Sequence, residues 1–153
     1  MFKILFVLFS LMFTLFADSS YKVVYDLTTG DLSKFKQKVL SGIASNKGHY
    51  EGKLETLKVA VIVHGDAYKF FIKDLTISPY AKNKKLQAEQ EDLAKRLRSL
   101  ANYYEVEFLI CHTGIKHRKI KESNLYSFIK LTPNASIGLI DKQNDGFAYI
   151  PAR

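Results

Sequence analysis

Residues 106–114, Val-Glu-Phe-Leu-Ile-Cys-His-Thr-Gly, begin as an apolar run and pass through the only cysteine of the chain. A continuous run of aliphatic and aromatic side chains is typical of a strand buried in a parallel sheet. Open α/β sheets place their ligand sites just beyond the carboxyl ends of their strands. If Val106–Ile110 is such a strand, Cys111 lies where chemistry is expected.

Strand and helix patterns alternate along the rest of the chain. The predicted strands are Tyr21–Leu27, Leu57–Val63, Val106–Ile110, Phe128–Leu131 and Phe147–Ile150. The predicted helices are Leu32–Ile43, Ala67–Asp74, Leu86–Tyr103 and Pro133–Asn144, with Gly48 and Gly52 in a loop and a basic loop at 114–121. Such alternation requires crossover connections between parallel strands. We therefore predict an α/β fold, a three-layer α/β/α sandwich with a mainly parallel five-stranded sheet covered on both faces, of flavodoxin-like general form.

Residues 21–153 contain no repeat, low-complexity tract or linker, so they are predicted to form a single domain. The chain has no Gly-x-Gly-x-x-Gly, no P-loop and no Gly-x-Ser-x-Gly. Dinucleotide, nucleotide and serine-hydrolase functions therefore lack their motifs, and no cofactor is expected.

The first 17 residues have the pattern of a secretory signal peptide. Met1-Phe2-Lys3 is a short positive start, Ile4–Phe16 is an apolar stretch, and cleavage after Ala17 fits the polar residues that follow. The apolar stretch is shorter than the roughly 20 residues of a spanning helix, so no membrane span is expected after cleavage. We therefore expect a periplasmic or secreted protein.

The chain is basic, with 23 Lys and Arg against 15 Asp and Glu and a formal charge of +8. Cleavage would remove Lys3 and no acidic residue, which leaves +7. Outside the cytoplasm a nucleic-acid partner is not expected. Acidic partners, anionic lipid or small anions fit the charge, and so does a simple contribution to solubility.

The ends of two predicted strands bring candidate site residues to one sheet edge. His64-Gly65 follows the second strand, while Cys111 is followed by His112 and Thr113. His117 and Arg118 lie a few residues further on, where cations would stabilise a thiolate. Exported proteins usually carry cysteines in pairs, so a lone cysteine is either a buried, inert side chain or a reactive one.

A metal site is an alternative for the same residues. His64, Cys111, His112 and His117 are ligand types that suit zinc or copper. Their spacing matches no structural zinc pattern, so no metal is assigned to the site.

The chain resembles the DsrE/DsrF-like sulfur relay superfamily, in its branch of small exported proteins. The matching segments are Lys22–Leu27, Val63-His64-Gly65, Ile110-Cys111 with Thr113, and the segments Leu131–Ala135 and Gly146–Ile150 near the end of the sequence. The resemblance implies a compact α/β/α fold, homotrimers or hexamers, and a cysteine at position 111 that carries sulfur as a persulfide between partners.

Two functions follow for the predicted pocket of Cys111, His64, Gly65, His112, Thr113, His117 and Arg118. The first is a sulfur carrier in which Cys111 accepts sulfane sulfur from an unidentified donor and passes it to a partner protein or a small thiol. The second is a non-catalytic oligomeric module that binds a small anion or a metal at the same strand-end pocket.

Overall fold

Five parallel strands form the sheet of the computed structural model, which describes residues 20–153. The strands are β1 (Ser20–Leu27), β2 (Thr56–Val63), β3 (Glu107–Cys111), β4 (Ile129–Thr132) and β5 (Ala148–Ala152). They lie in the order β4-β3-β2-β1-β5, so every strand predicted from the sequence is present and β1 pairs with both β2 and β5. The predicted signal peptide, residues 1–17, lies outside the described residues.

Helices connect the strands on both faces of the sheet. They are α1 (Leu32–Phe35), α2 (Gly42–Glu51), α3 (Lys84–Asn102), α4 (His112–His117) and α5 (Ala135–Asn144). A π-helical segment, Lys36–Ser41, joins α1 to α2, and short 3-10 helices lie at Ala67–Phe71 and Glu122–Asn124. The chain steps from β1 to β4 in one direction and then returns to β5, and right-handed crossovers therefore place α5 on the face opposite the earlier helices.

The two faces of the sheet are covered unequally. The larger cluster of buried apolar side chains packs β1, β2 and β3 against the helices before β4. On the other face Val24, Ala60 and Ile62 form a small cluster beneath α5. The predicted three-layer α/β/α arrangement is confirmed, and one of its outer layers consists of a single helix.

The first helical region is longer than predicted. The loop expected at Gly48 is part of α2, which runs to Glu51 and ends near Gly52. The prediction failed because a glycine inside a helix costs only about 1 kcal/mol relative to alanine. Burial of Ile43 and Lys47 on the same helix offsets that cost, and Lys47 Nζ also donates to the carbonyl of Leu57 at 3.0 Å.

The basic loop predicted at residues 114–121 begins instead as α4. This short helix starts directly at the end of β3, with Cys111 as its N-cap residue, and it buries Ile115 completely. Packing of Ile115 overrides the polar composition of the segment. Among residues 20–153 no helix is both long enough and apolar enough to cross a bilayer.

Candidate functional site

A cleft of about 680 Å³ lies at the carboxyl ends of β2 and β3. The predicted site residues that line it are Cys111, His64, Gly65, Thr113, His117 and Arg118. Tyr68, Gly114 and the first turn of α5, Asn134–Ile137, complete the lining. A second cleft of about 500 Å³ lies between α3 and residues 126–128, and neither cysteine nor histidine lines it. The chemistry-bearing side chains therefore gather in the first cleft.

Cys111 is the last residue of β3 and the N-cap of α4. The register pairs Val63 with Ile110, so the next residues of the two strands, His64 and Cys111, come side by side at the sheet edge. Cys111 is only 7% exposed and carries a free thiol. Its sulfur is thus recessed in an open cleft.

The hydroxyl of Tyr68 lies beside this thiol. Tyr68 belongs to the 3-10 helix after β2 and is 2% exposed. Burial, followed by the neighbouring Cys111 side chain, raises the pKa of the Tyr68 phenol well above its ordinary value. Tyr68 therefore keeps its proton and can donate a hydrogen bond to a sulfur anion at position 111.

His64 is held by a buried carboxylate. Its Nε2 lies 2.5 Å from Oδ1 of Asp26, the penultimate residue of β1, which is 6% exposed. The other carboxylate oxygen of Asp26 accepts a hydrogen bond of 2.6 Å from the hydroxyl of Tyr149 on β5. That hydrogen bond raises the pKa of the Tyr149 phenol. Asp26 on β1, Tyr149 on β5 and His64, directly after the end of β2, thereby form one hydrogen-bonded chain.

Arg118 brings a cation to the cleft. Its guanidinium lies 5.3 Å from the ring centroid of Tyr68 and donates to Oδ1 of Asp66 at 3.0 Å. The ion pair is partly exposed, and Asp66 neutralises much of the charge that Arg118 would present to an anion. His117 lines the same side of the cleft, at the end of α4.

One hydrogen bond and one glycine constrain the backbone around the cleft. The Thr113 hydroxyl donates to the carbonyl of Pro133 at 3.0 Å, which ties α4 to the loop before α5. Gly65 has a φ of +62°, where a side chain is strained, and a Cβ there would lie 3.0 Å from the carbonyl oxygen of Thr28. Both predicted residues therefore shape the cleft more than they supply reactive groups.

The His112 side chain points away from the cleft that Cys111 and His64 line. Its Nε2 lies 2.8 Å from Oε1 of Glu122, and it is not among the residues that line the cleft. The side chain turns aside because α4 begins at His112, directly after Cys111. Across residues 20–153, no three His, Cys, Asp or Glu side chains come together as a metal site would require.

Sequence reasoning missed three residues of the site: Asp26, Tyr68 and Tyr149. Asp26 gave a signal, since a carboxylate near the end of an apolar strand must find partners if it is buried. Tyr68 and Tyr149 gave none, because their partners are distant in the sequence. Only the register of β1 with β5 brings Tyr149 to Asp26.

Comparisons with known proteins agree with this fold. The model of the DsrE/DsrF-like family matches residues 22–152. An uncharacterized protein of Aquifex aeolicus (strain VF5) is 28% identical over 133 residues, which are 87% of this chain and 56% of that protein. The chain thus spans little more than half the length of that relative. A solved protein of unknown function, MTH1491 from Methanobacterium thermoautotrophicum, has a TM-score of 0.59 and 20% identity over 86% of this chain and 98% of its own.

Proposed function

The chain belongs to the DsrE/DsrF-like family, and we propose that it carries sulfur as a persulfide on Cys111. The observation that carries this proposal is the free thiol of Cys111, recessed in an open cleft beside the buried hydroxyl of Tyr68. A recessed sulfur fits a carried persulfide, because a persulfide exposed to small oxidants is lost more readily.

The neighbouring side chains have complementary roles in this proposal. A thiolate and a persulfide are both anions, and the Tyr68 hydroxyl donates a hydrogen bond to either. Arg118, although paired with Asp66, places a cation at the entrance to the cleft, which the His117 imidazole also lines. Thr113 and Gly65 keep the backbone in place around the sulfur.

Cys111 is the only cysteine in the chain, so no second thiol of the same molecule can resolve a persulfide. Release of sulfur requires a thiol from a partner protein or a small acceptor. The protein therefore acts as a carrier more than as a turnover enzyme. With the signal-like pattern at residues 1–17, its donor and acceptor would be periplasmic or extracellular.

The protein acts as a homo-oligomer, a trimer or a hexamer, in the same proposal. Support comes from Ile140, which is 55% exposed on α5, and from Ile137 one turn before it, which is also exposed and lies at the edge of the cleft. This helix alone covers its face of the sheet, so a second copy seated there would bury apolar surface that solvent now contacts.

Incubation of the protein with polysulfide, followed by intact mass spectrometry under non-reducing conditions, tests the sulfur assignment. We expect the wild type to gain sulfur and to lose it again with a small thiol. The variant Cys111→Ser should gain none. A variant that still took up sulfur would exclude Cys111 as the acceptor.

Burial of Cys111 favours a second candidate, a binding module without covalent chemistry. Thiol titration of the native protein distinguishes the two. Alkylation below neutral pH is expected for the carrier. A thiol that reacts only after unfolding would support a cleft that binds a small anion through His64, His117 and Arg118.

A further inference from the structure

The carboxylate of Asp26 is almost fully buried and has two hydrogen-bond partners, His64 and Tyr149. Burial of a carboxylate is costly unless its oxygens are hydrogen-bonded, and both oxygens here are. An ionised carboxylate only accepts hydrogen bonds. The hydrogen between Asp26 and His64 therefore belongs to Nε2 of the imidazole.

This contact fixes the orientation and tautomer of His64. With a hydrogen on Nε2, the neutral ring carries its lone pair on Nδ1. The His64 side chain is 27% exposed and lines the cleft, while Nε2 is directed to Asp26. Among the described residues none hydrogen-bonds to Nδ1, so this nitrogen is available to a group in the cleft.

The group that the sheet places next to His64 is Cys111. Val63 and Ile110 are paired across β2 and β3, and His64 and Cys111 are the residues that follow them. Both line the same cleft. An imidazole oriented by a carboxylate beside a nucleophile is the arrangement that activates thiols and hydroxyls in many enzymes.

We infer that His64 transfers the protons of sulfur exchange at Cys111, and that Asp26 and Tyr149 are positioning residues that hold its ring. The inference rests on the proposed function and deepens it, because it names the donor class as persulfides, R–S–SH. These donors need a proton removed from the accepting thiol and a proton delivered to the departing one.

The sulfur exchange proceeds in four steps. Nδ1 of His64 takes the thiol proton of Cys111, and the thiolate attacks the terminal sulfur of R–S–SH. A new S–S bond forms to Cys111, the S–S bond of the donor breaks, and its electron pair leaves on RS⁻. The proton on Nδ1 then passes to RS⁻. The products are Cys111–S–SH and RSH, with no net oxidation.

Other charged groups around the cleft bear on the pH dependence of this step. Besides Cys111, the titratable or charged side chains around His64 and its partners are Asp26 from β1, Tyr149 from β5 with Arg153 beside it, Tyr68 and Asp66 after β2, and His117 and Arg118 at the end of α4. Oδ1 of Asp66 accepts a hydrogen bond from the Arg118 guanidinium at 3.0 Å. Asp26 is the carboxylate in direct contact with the His64 ring.

The test is the rate of Cys111 alkylation by iodoacetamide across the pH range, in wild type, His64→Gln, Asp26→Asn and Tyr149→Phe. The matched control is His49→Gln, because His49 is exposed on α2 and packs on Tyr50. In the wild type we expect two inflections, one for formation of the thiolate–imidazolium pair and one for loss of the imidazolium proton. His64→Gln should leave one inflection and lower the rate near pH 6 by roughly tenfold or more.

Asp26→Asn should keep two inflections in the profile of alkylation rate against pH, but the two should lie closer together in pH. Tyr149→Phe should show the same change to a smaller extent. A single inflection in the wild-type profile of alkylation rate against pH overturns the inference. This outcome is measured on the wild type alone, so it does not depend on whether a variant folds. Identical profiles for wild type and folded His64→Gln also overturn it. Sulfur uptake by intact mass is measured on the same samples. Wild type that takes up no sulfur contradicts the proposed function itself, whereas normal uptake with an unchanged profile contradicts only the role of His64.

Discussion

A Cβ atom at Gly114 would lie 1.6 Å from the hydroxyl oxygen of Tyr68 and 2.4 Å from its Cζ. No side chain larger than hydrogen fits there while Tyr68 keeps its position. The contact sets how closely α4 approaches the 3-10 helix after β2. It therefore also sets where the Tyr68 hydroxyl lies relative to Cys111.

The first prediction concerns this contact. Gly114→Ala should destabilise the protein by about 1–3 kcal/mol, because the buried Tyr68 ring must move to admit a methyl group. The measurement is urea unfolding. Gly48→Ala in α2 is the matched control, since nothing lies within 4 Å of the added Cβ, and it should stabilise by roughly 0.5–1 kcal/mol. A Gly114→Ala protein as stable as the wild type would show that Tyr68 is free to move.

The second prediction concerns Glu107 at the start of β3. It accepts hydrogen bonds from Lys142 of α5 and, at 3.0 Å, from Lys130 of β4. Burial opposes its ionisation, but these two contacts outweigh burial and hold the pKa of Glu107 below its usual value. Glu107→Gln should cost roughly 1 kcal/mol of unfolding free energy at neutral pH.

The pH dependence of that cost follows from the sign of the shift. A lowered pKa in the folded state stabilises above the unfolded pKa, about 4.3, and the contribution is lost as pH falls through the folded value. The difference between wild type and Glu107→Gln should therefore shrink on acidification below about pH 5. The exposed Glu51 of α2 serves as control, and Glu51→Gln should show no such trend. A gap between wild type and Glu107→Gln that stayed constant down to pH 3 would contradict the assignment.

The third prediction concerns the charge at the cleft. Iodoacetate and iodoacetamide alkylate the same thiol but differ in charge, so the ratio of their rates reports the local potential at Cys111. Arg118→Gln should lower the iodoacetate-to-iodoacetamide ratio by roughly threefold, and Asp66→Asn should raise it by a similar factor, because Arg118 loses its counter-ion. Both effects should weaken in high salt. Changes of the same sign in the two variants would show that this ion pair does not act on the thiol.

The fourth prediction concerns assembly. Ile140→Glu on α5 should reduce the molar mass measured by light scattering after size exclusion, because a charge on an apolar interface opposes association. Ile77→Glu is the matched control, since Ile77 is 66% exposed in the segment before α3. An oligomer that tolerates Ile140→Glu would place the interface elsewhere, and a monomeric wild type would contradict assembly altogether.

The strands and the place of Cys111 could be predicted from the sequence because burial on both faces gives long apolar runs. The predicted bounds of helices and loops were wrong where the preference of a single residue competed with the packing of buried side chains. Gly48 suggested a loop but lies in α2, and the basic residues after Gly114 suggested a loop where α4 buries Ile115. In each case buried neighbours outweighed the preference of one residue.

The site was only partly predictable for a different reason. The ends of parallel strands meet at one edge, so His64 and Cys111 could be grouped from the order of elements alone. The direction of a side chain could not be inferred in this way. His112 is adjacent to Cys111 in sequence yet turns to Glu122, whereas Asp26 turns to His64 from another strand.

The crossover formed by α5 and β5 links two properties of the molecule. The first turn of α5, Asn134–Ile137, lines the cleft, and Ile140 is exposed further along the same helix. The strand that follows, β5, supplies the Tyr149 hydroxyl that donates to Asp26. A movement of α5 along its axis would thus change the shape of the cleft and the support of His64 together. In the proposed oligomer, a neighbour seated on α5 and a ligand in the cleft would act on the same helix, and any coupling between them would change both affinities by the same free energy.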